Sequence, residues 1–283
     1  MAIKIDFLRQ LDRMHLVIKK KVTSSYVGPR ESREYGRGLV FKDHKEYVAG
    51  DDFRTIDWNV FARTENFYIK RYEEERNLTV HIIVDGSASM NFGKETKKFE
   101  YAAMLGLGFA YMAMKNNERF VFSTFSDKLN PYKPKKGAKQ LMEILGHLNS
   151  HKIVGKSNIK DALTTYKKFI SSRSLIVLIS DFLIDSKELK EILPEYKKHD
   201  LHVIQVLDPV EKELDMTGDL VLHDAETNIV FRTFISRRLR EQYKGRLAEH
   251  SSEVENLCKR LNAKFFTATT DQPIFDVFAK ILR

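Results

Sequence analysis

Three oxygen-bearing side chains occur at alternate positions in one short stretch of the sequence. Asp85, Ser87 and Ser89 are separated by the small residues Gly86 and Ala88. In a loop of this kind, residues two apart can aim their oxygens toward one point. One carboxylate and two hydroxyls form a set of hard oxygen ligands, which suits Mg²⁺, Mn²⁺ or Ca²⁺ better than zinc. The spacing therefore predicts a divalent-cation site, with Mg²⁺ as the first choice of ion.

Two further side chains can complete this candidate site. Ser157 lies just before a predicted helix, and Asp181 ends an apolar stretch of the sequence. Water or the carboxylate of a partner protein would fill the remaining coordination positions. The predicted ligands are Asp85, Ser87, Ser89, Ser157 and Asp181.

The same residues also allow a plainer interpretation. Ser and Asp often cap helices and close turns, so the loop from Asp85 to Ser89 alone is weak evidence for a metal. The order and context of Ser157 and Asp181 favour the metal site. A phosphate-binding loop ending at Ser157 is not expected, because that motif needs glycine where Ser150 stands and must follow a strand.

The elements that must position these residues follow from the apolar pattern. Continuous apolar runs rich in β-branched residues cover Leu78–Asp85, Leu175–Asp181 and Leu201–Leu207. This pattern predicts strands that are buried on both faces. Helical segments of about 10 residues or more separate them, which predicts parallel strands joined by helical crossovers. Ligands of such sheets bind at the carboxyl ends of the strands, where Asp85 and Asp181 are expected.

The remaining elements complete a predicted α/β domain over residues 78–283. Its sheet is expected to be doubly wound and mostly parallel, with helices on both faces. The other predicted strands are Arg119–Phe125, Leu129–Tyr132, Lys264–Thr267 and a hairpin of Leu220–Leu222 with Ile229–Phe231, and the predicted helices are Lys97–Asn116, Lys139–Leu148, Asn158–Phe169, Lys187–Lys198, Ser236–Leu261 and Pro273–Leu282.

Residues 1–77 have a different pattern and are predicted to form a smaller N-terminal region with a helix and strands. Apolar residues over 3–20 are loosely helix-spaced, and turn-forming glycines then surround short extended runs. The runs Val40–Phe41, Glu46–Val48 and Phe67–Arg71 are predicted strands. Because no Pro/Gly/Ser-rich hinge precedes residue 78, we expect this region to pack on the main domain.

Acidic and basic residues are closely interleaved in the stretch that begins at Gly50. Asp51, Asp52 and Asp57 could form a second acidic site near Arg54 and Trp58. A structural network of salt bridges and turns is the favoured interpretation, and a role in an interface is the alternative.

Composition limits the classes of protein to consider. Cys258 is the only cysteine, which excludes an intramolecular disulfide and a cysteine-based metal site and favours a cytoplasmic location. The first 21 residues lack the continuous apolar run of a signal peptide. The uncharged stretch Tyr101–Met114 would span roughly 21 Å as a helix, short of the roughly 30 Å of a bilayer core. We therefore predict a buried core helix there and no membrane span.

The chain is basic, with a formal net charge of +9. An excess of positive charge is a feature of nucleic-acid-binding proteins. The excess is spread along the chain, because residues 1–77 hold 16 basic and 13 acidic side chains and residues 78–283 carry the other +6. Spread charge gives weak, salt-sensitive association, so no specific nucleic-acid binding is expected.

The pieces of the candidate site resemble a von Willebrand factor A domain. The shared features are Asp-x-Ser-x-Ser after an apolar strand, a later Gly-x-Ser/Thr-Asn-Ile before a helix, and Ser/Thr-Asp closing another strand. The resemblance implies that Asp85, Ser87 and Ser89 are ligands of a metal-ion-dependent adhesion site, with Asp181 acting directly or through a water. Ser157 stands where that family usually has threonine, a departure that keeps the hydroxyl.

The stretch before the first buried strand is similar to a second pattern. Tyr47–Trp58 (YVAGDDFRTIDW), Ala62–Thr64 (ART) and Arg71–Arg76 (RYEEER) resemble a bacterial family catalogued as domain of unknown function fifty-eight. Its members are often encoded beside MoxR-type AAA+ ATPases, and the resemblance therefore implies a chaperone-like or assembly partnership.

Two functions remain open from the sequence. The leading hypothesis is a non-enzymatic, metal-dependent interaction module that binds an Asp or Glu of a partner protein, as an adaptor for a MoxR-type ATPase. The alternative is a Mg²⁺-dependent, phosphatase-like hydrolase at the same strand ends. Such enzymes commonly need a second aspartate or a lysine near the first, and the loop after Asp85 supplies only serines.

Overall fold

The structure is a computed structural model that describes residues 11–12, 40–73, 78–127, 129–130, 133–150, 153, 155–216, 218–224 and 229–282. The chain divides into two compact units. The larger unit contains Leu11, Asp12 and the described residues from Leu78 onward, and the smaller unit contains the described residues 40–73. The predicted packing of the N-terminal region on the main domain stays a prediction.

A mixed sheet forms the centre of the larger unit. Its strands are β3 (Thr79–Asp85), β4 (Arg119–Phe125), β5 (Leu129–Asn130), β6 (Leu175–Ser180), β7 (Asp200–Leu207) and β10 (Lys264–Thr269). They lie in the order β10-β7-β6-β3-β4-β5. The first five in this order are parallel, and the short edge strand β5 runs antiparallel to β4. The predicted α/β class and mostly parallel sheet are confirmed.

Helices cover both faces of this sheet. One face packs against α2 (Lys98–Lys115), α3 (Ala138–Ser150) and α8 (Ile274–Ile281). The other packs against α4 (Ile159–Tyr166), α5 (Ser186–Ile192) and α7 (Arg237–Arg260). The short helix α6 (Pro209–Glu213) follows β7. This arrangement is compatible with the predicted doubly wound fold.

The apolar strand sequences have a direct cause in this packing. Side chains alternate between the two faces of a strand. In β3, Ile82 and Val84 belong to the core under α2, whereas Ile83 belongs to the core under α4. Because helices cover both faces of β3, its positions are apolar or need a hydrogen-bond partner inside the protein. His81 meets the second condition through Tyr166, whose hydroxyl lies 2.9 Å from its Nδ1.

Helix α2 is the buried helix that the sequence predicts. Most of its side chains are buried, including Leu105, Leu107 and Phe109. Over the described residues, no helix is long and apolar enough to cross a membrane.

Two predicted helices end earlier than expected. The predicted segment 158–169 is α4 followed by a 3-10 turn at Lys167–Phe169. The predicted segment 187–198 is α5 followed by a 3-10 turn at Leu193–Tyr196. Pro194 cannot donate an intrahelical hydrogen bond, which ends the second helix.

The predicted hairpin is present and longer than expected. It pairs β8 (Gly218–His223) with β9 (Val230–Ile235) in antiparallel register. Its apolar side chains are largely exposed, with Phe231 and Phe234 61% and 66% accessible.

The smaller unit is an antiparallel strand pair with one helix. Strand β1 (Val40–Glu46) covers the first predicted strand and the start of the second. It pairs with β2 (Tyr68–Glu73), and α1 (Trp58–Thr64) lies between the two strands in the sequence. The leading helix predicted over residues 3–20 falls outside the described residues except for the helical Leu11 and Asp12.

The acidic residues of this unit serve structural roles. Lys45 donates to Asp51 at 2.9 Å, and Asp57 lies 2.9 Å from His44 Nε2 and 3.3 Å from Lys70 Nζ. Asp57 also caps α1, and these contacts hold its pKa at about 2, with the His44 hydrogen bond as the largest cause. The favoured structural interpretation is confirmed, but lysines and a histidine take the place expected for arginines.

The close approach of α2 to the sheet generates a test. A Cβ atom at Gly106 would lie 2.6 Å from Phe122 Cε2 and 2.9 Å from Ile82 Cγ2. Gly106→Ala should therefore lower the free energy of unfolding by about 1–3 kcal/mol, because the buried Phe122 ring has no room to move. Chemical denaturation measures this.

The matched control is Gly146→Ala in helix α3. Among the described residues, no atom outside the chain neighbours and the helix's own backbone lies within 4 Å of the added methyl group. This variant should gain up to about 1 kcal/mol, because alanine forms helices more readily than glycine. Equal changes in the free energy of unfolding for Gly106→Ala and Gly146→Ala would contradict the close packing of α2 on the sheet.

Candidate functional site

The predicted site residues lie where the order of the strands reverses. If the six strands of this sheet alone are numbered 1 to 6 along the chain, β3 is strand 1 and β6 is strand 4. Their order across the sheet is then 3-2-1-4-5-6, and it reverses between β3 and β6. Crossovers leave β3 and β6 in opposite directions, which opens a crevice at their carboxyl ends. Asp85 is the last residue of β3, and Asp181 directly follows β6.

Backbone hydrogen bonds fix the loop after β3. Gly86 N donates to Phe125 O at 2.7 Å, and Ala88 N donates to Gly155 O at 2.9 Å. The second bond ties this loop to the loop that carries Ser157. A 3-10 turn over Ala88–Asn91 then leads the chain away from the sheet.

Asp85 is the centre of the cluster. Its Oδ1 accepts from Ser87 N at 2.9 Å, and its Oδ2 accepts from Ser157 Oγ at 2.9 Å and Ser180 Oγ at 2.8 Å. The side chain is fully buried. Burial and the neighbouring Asp181 carboxylate raise the pKa of Asp85 to about 6.

Asp181 lies on the other side of the same cluster. Its Oδ2 accepts from Ser89 Oγ at 2.9 Å, and Ser89 Oγ lies 3.1 Å from Ser87 Oγ. Its Oδ1 accepts from Leu183 N at 3.2 Å. Phe182 adopts a positive φ of 53° and so turns the chain sharply after the carboxylate.

All five predicted ligands therefore meet in one hydrogen-bonded cluster. Asp85 and Ser87 are fully buried, whereas Ser89 and Ser157 are partly exposed. The cluster is thus closed on the sheet side and reachable on the side of these two serines. Each hydroxyl that donates to a carboxylate retains lone pairs for a cation.

Three polar residues of this cluster were missed in the sequence. Ser180 bonds Asp85, as described, and its Oγ also accepts from Phe182 N at 3.0 Å. Lys98 is 0% exposed and donates to Asp181 Oδ2 at 2.9 Å and to Glu211 Oε1 at 2.7 Å.

Signals for these residues exist in the sequence. Lys98 precedes the buried Ala102 and Leu105 by four and seven residues. It therefore lies on an apolar face of α2, where a lysine needs a partner. Glu211 is the third helical residue of a capping box begun by Asp208.

The charges of the site do not cancel. Burial lowers the pKa of Lys98, but attraction from Asp181 and Glu211 outweighs it, so the pKa is raised and the ammonium stays charged. Among the described residues of the site, the charge of Lys98 stands against three carboxylates, those of Asp85, Asp181 and Glu211. One divalent cation would restore formal neutrality.

The donor chemistry fits a hard cation. Two carboxylates and the hydroxyls of Ser87, Ser89 and Ser157 are all oxygen ligands, the kind that Mg²⁺ and Ca²⁺ take. Within the described ranges, no group of three or more His, Cys, Asp or Glu side chains is arranged to hold a metal ion. A cation here would thus depend on the serine hydroxyls as much as on Asp85 and Asp181.

Comparison with known families assigns the chain. A family described as "Protein of unknown function DUF58" matches residues 43–253. The chain belongs to the DUF58 family.

Similar proteins include uncharacterized mycobacterial proteins. One from Mycobacterium tuberculosis (strain ATCC 25618 / H37Rv) is 25% identical over 278 residues, covering 96% of this chain and 87% of its own length. One from Mycobacterium avium is 30% identical over 128 residues, covering 45% of this chain and 74% of its own length. Neither name states a function.

Two solved structures show a distant likeness to this chain. The conserved hypothetical protein BatB from Bacteroides thetaiotaomicron matches with a TM-score of 0.43 at 13% identity, covering 72% of this chain and 98% of that one. An aerotolerance-related membrane protein from Bacteroides fragilis matches with a TM-score of 0.47 at 13% identity and the same coverage. These scores are too low to support any conclusion about this chain.

The loop that carries Ser157 generates a test. Gly155 has a φ of +93°, and an added Cβ would lie 2.5 Å from Asp127 Oδ2. Asp127 cannot yield freely, because its Oδ1 accepts from Lys156 N at 2.7 Å. Gly155→Ala should therefore cost about 1–2 kcal/mol of unfolding free energy through backbone strain and about 1–3 kcal/mol more through the clash.

Gly137→Ala is the matched control. Its φ is +88°, and among the described residues no atom beyond the two chain neighbours lies within 4 Å of the added Cβ. In the same chemical denaturation measurement, this variant should lose only the unfolding free energy that is due to backbone strain. A Gly155→Ala loss no larger than that of the control would show that Asp127 does not fix this loop.

Proposed function

We propose that this DUF58 protein is a non-enzymatic, metal-dependent protein-interaction module with a von Willebrand factor A-like main domain. Asp85, Ser87, Ser89, Ser157 and Asp181 hold a divalent cation, Mg²⁺ first and Mn²⁺ or Ca²⁺ as alternatives. The ion keeps a coordination position open for an Asp or Glu of a partner. The main support is that all five residues converge in one cluster at the strand-order reversal.

The surroundings of the cluster favour an acidic partner. Helix α4 begins at Ile159, and its N-cap Asn158 directly follows Ser157. The positive end of the helix dipole thus lies beside the partly exposed side of the cluster, where it favours a negative ligand. A bound divalent cation would add to this field.

The partner class comes from the family resemblance alone. Members of this family are often encoded beside MoxR-type AAA+ ATPases, so we propose a MoxR-type ATPase or its client as the partner. The adaptor would join the two through a carboxylate on the bound ion.

Substitution of Asp85 tests the metal site. Asp85→Asn should lower the affinity for Mn²⁺, measured by isothermal titration calorimetry, at least about tenfold, because a ligand charge is lost. Its thermal stability in chelator should be no lower than wild type, since burial and Asp181 already disfavour the Asp85 charge.

Asp271→Asn, at an exposed turn after β10, is the control and should bind Mn²⁺ like wild type. Capture of a purified MoxR-type ATPase should require MgCl₂ and should be lost in Asp85→Asn. Equal Mn²⁺ affinity in wild type and Asp85→Asn would overturn the proposed site. Equal capture in MgCl₂ and chelator would overturn the metal-dependent partnership.

One observation favours the hydrolase as a second candidate. The structure brings Asp181 beside Asp85 and Lys98 beside Asp181, which supplies the second aspartate and the lysine that the loop itself lacks. Against it, Asp85 is 0% exposed and both of its oxygens accept hydrogen bonds from the chain. The carboxylate of Asp85 is thus not accessible to a phosphate ester.

Hydrolysis of p-nitrophenyl phosphate in MgCl₂ separates the two functions. The adaptor predicts that wild type shows no more turnover than Asp85→Asn, because no nucleophile is accessible. Turnover that needs both Mg²⁺ and Asp85 would replace the adaptor by the hydrolase.

A further inference from the structure

Lys98 is the least expected residue at the candidate site. It lies in the first turn of α2 and is 0% exposed. A lysine is rarely buried to this extent unless its ammonium is paired. Here Nζ donates to Asp181 Oδ2 at 2.9 Å and to Glu211 Oε1 at 2.7 Å, and it lies 6.0 Å from the Phe92 ring centre.

The atom that Lys98 contacts is a proposed metal ligand. Asp181 Oδ2 already accepts from Ser89 Oγ at 2.9 Å. The ammonium thus neutralises part of the charge that a divalent cation would use. Two cations next to one carboxylate also repel each other, and this repulsion is strong away from water.

Glu211 works in the opposite direction. It accepts from the Lys98 ammonium, which also donates to Asp181. Glu211 therefore shares the lysine's positive charge and draws part of it away from Asp181.

We propose that the Lys98 ammonium is a built-in cation of the site, which balances Asp181 in the metal-free protein and weakens metal binding, with Glu211 moderating its effect. This inference rests on the proposed metal site and adds a residue that sets its affinity. A site weakened in this way holds its ion firmly only when a partner carboxylate adds a further negative ligand. Lys98 thereby links metal retention to partner binding.

The test compares Mn²⁺ affinity across variants by isothermal titration calorimetry. Lys98→Met should bind Mn²⁺ at least about tenfold more tightly than wild type, because a repelling charge is removed. Glu211→Gln should bind more weakly than wild type, because all of the lysine charge then faces Asp181. A purely structural ion pair would weaken metal binding in both variants.

A second readout is the thermal shift caused by MgCl₂. Lys98→Met should be less stable than wild type in chelator, because two buried carboxylates lose their counter-charge. MgCl₂ should raise its midpoint by more than it raises that of wild type. The control Lys97→Met, at the exposed neighbouring position whose Nζ donates to Asn91 Oδ1, should match wild type in both measurements.

If Lys98→Met fails to fold, the double variant Lys98→Met/Glu211→Gln replaces it in the Mn²⁺ affinity measurement. It keeps the formal charge of the cluster and removes the ammonium from Asp181, so it should still bind Mn²⁺ more tightly than wild type. If the folded Lys98 variants bind Mn²⁺ no more tightly than wild type, the proposed role of Lys98 is wrong. The proposed metal site is not affected by that result. No Mn²⁺ binding by wild type or any variant would overturn the proposed function, and this inference with it.

Discussion

Two carboxylates buried next to each other are the constraint on which the rest of the site depends. Parallel strands β3 and β6 are neighbours, so the residues that end them, Asp85 and Asp181, are forced together. Ionised groups in such a place are tolerated only when hydrogen bonds and opposite charges surround them. Neighbouring loops, strand β6 and helix α2 supply these groups, which are serine hydroxyls and one ammonium.

Each neighbouring element contributes one part of this compensation. The loop after β3 provides Ser89, the loop before α4 provides Ser157, and β6 itself provides Ser180. Helix α2 contributes Lys98, and the capped start of α6 contributes Glu211. The site is thus a product of the whole strand-and-helix arrangement, and loss of any one of these groups leaves a buried carboxylate with one partner fewer.

Much of this arrangement could be predicted from the sequence, and the reason is the double burial of the strands. Covered faces demand apolar runs, so the ends of those runs identify Asp85 and Asp181 without knowledge of the fold. The role of Lys98 could not be predicted, because a lysine at a helix start usually faces water. Its ammonium is paired with Glu211, which lies 113 residues further along the chain. The 3-10 turns after α4 and α5 were predicted as parts of these helices, because the apolar spacing continues through them. The five residues proposed as ligands could be selected by their order in the sequence, whereas their hydrogen-bond partners could be identified only in the folded chain.

The hairpin of β8 and β9 differs from the central sheet in how it is held. Its two strands pair with each other, most of its side chains are exposed, and Ile235 is its buried residue next to α7. Two-stranded ribbons of this kind are marginally stable on their own. The hairpin can therefore open and exchange its amide hydrogens with solvent while the strands that carry Asp85 and Asp181 stay closed.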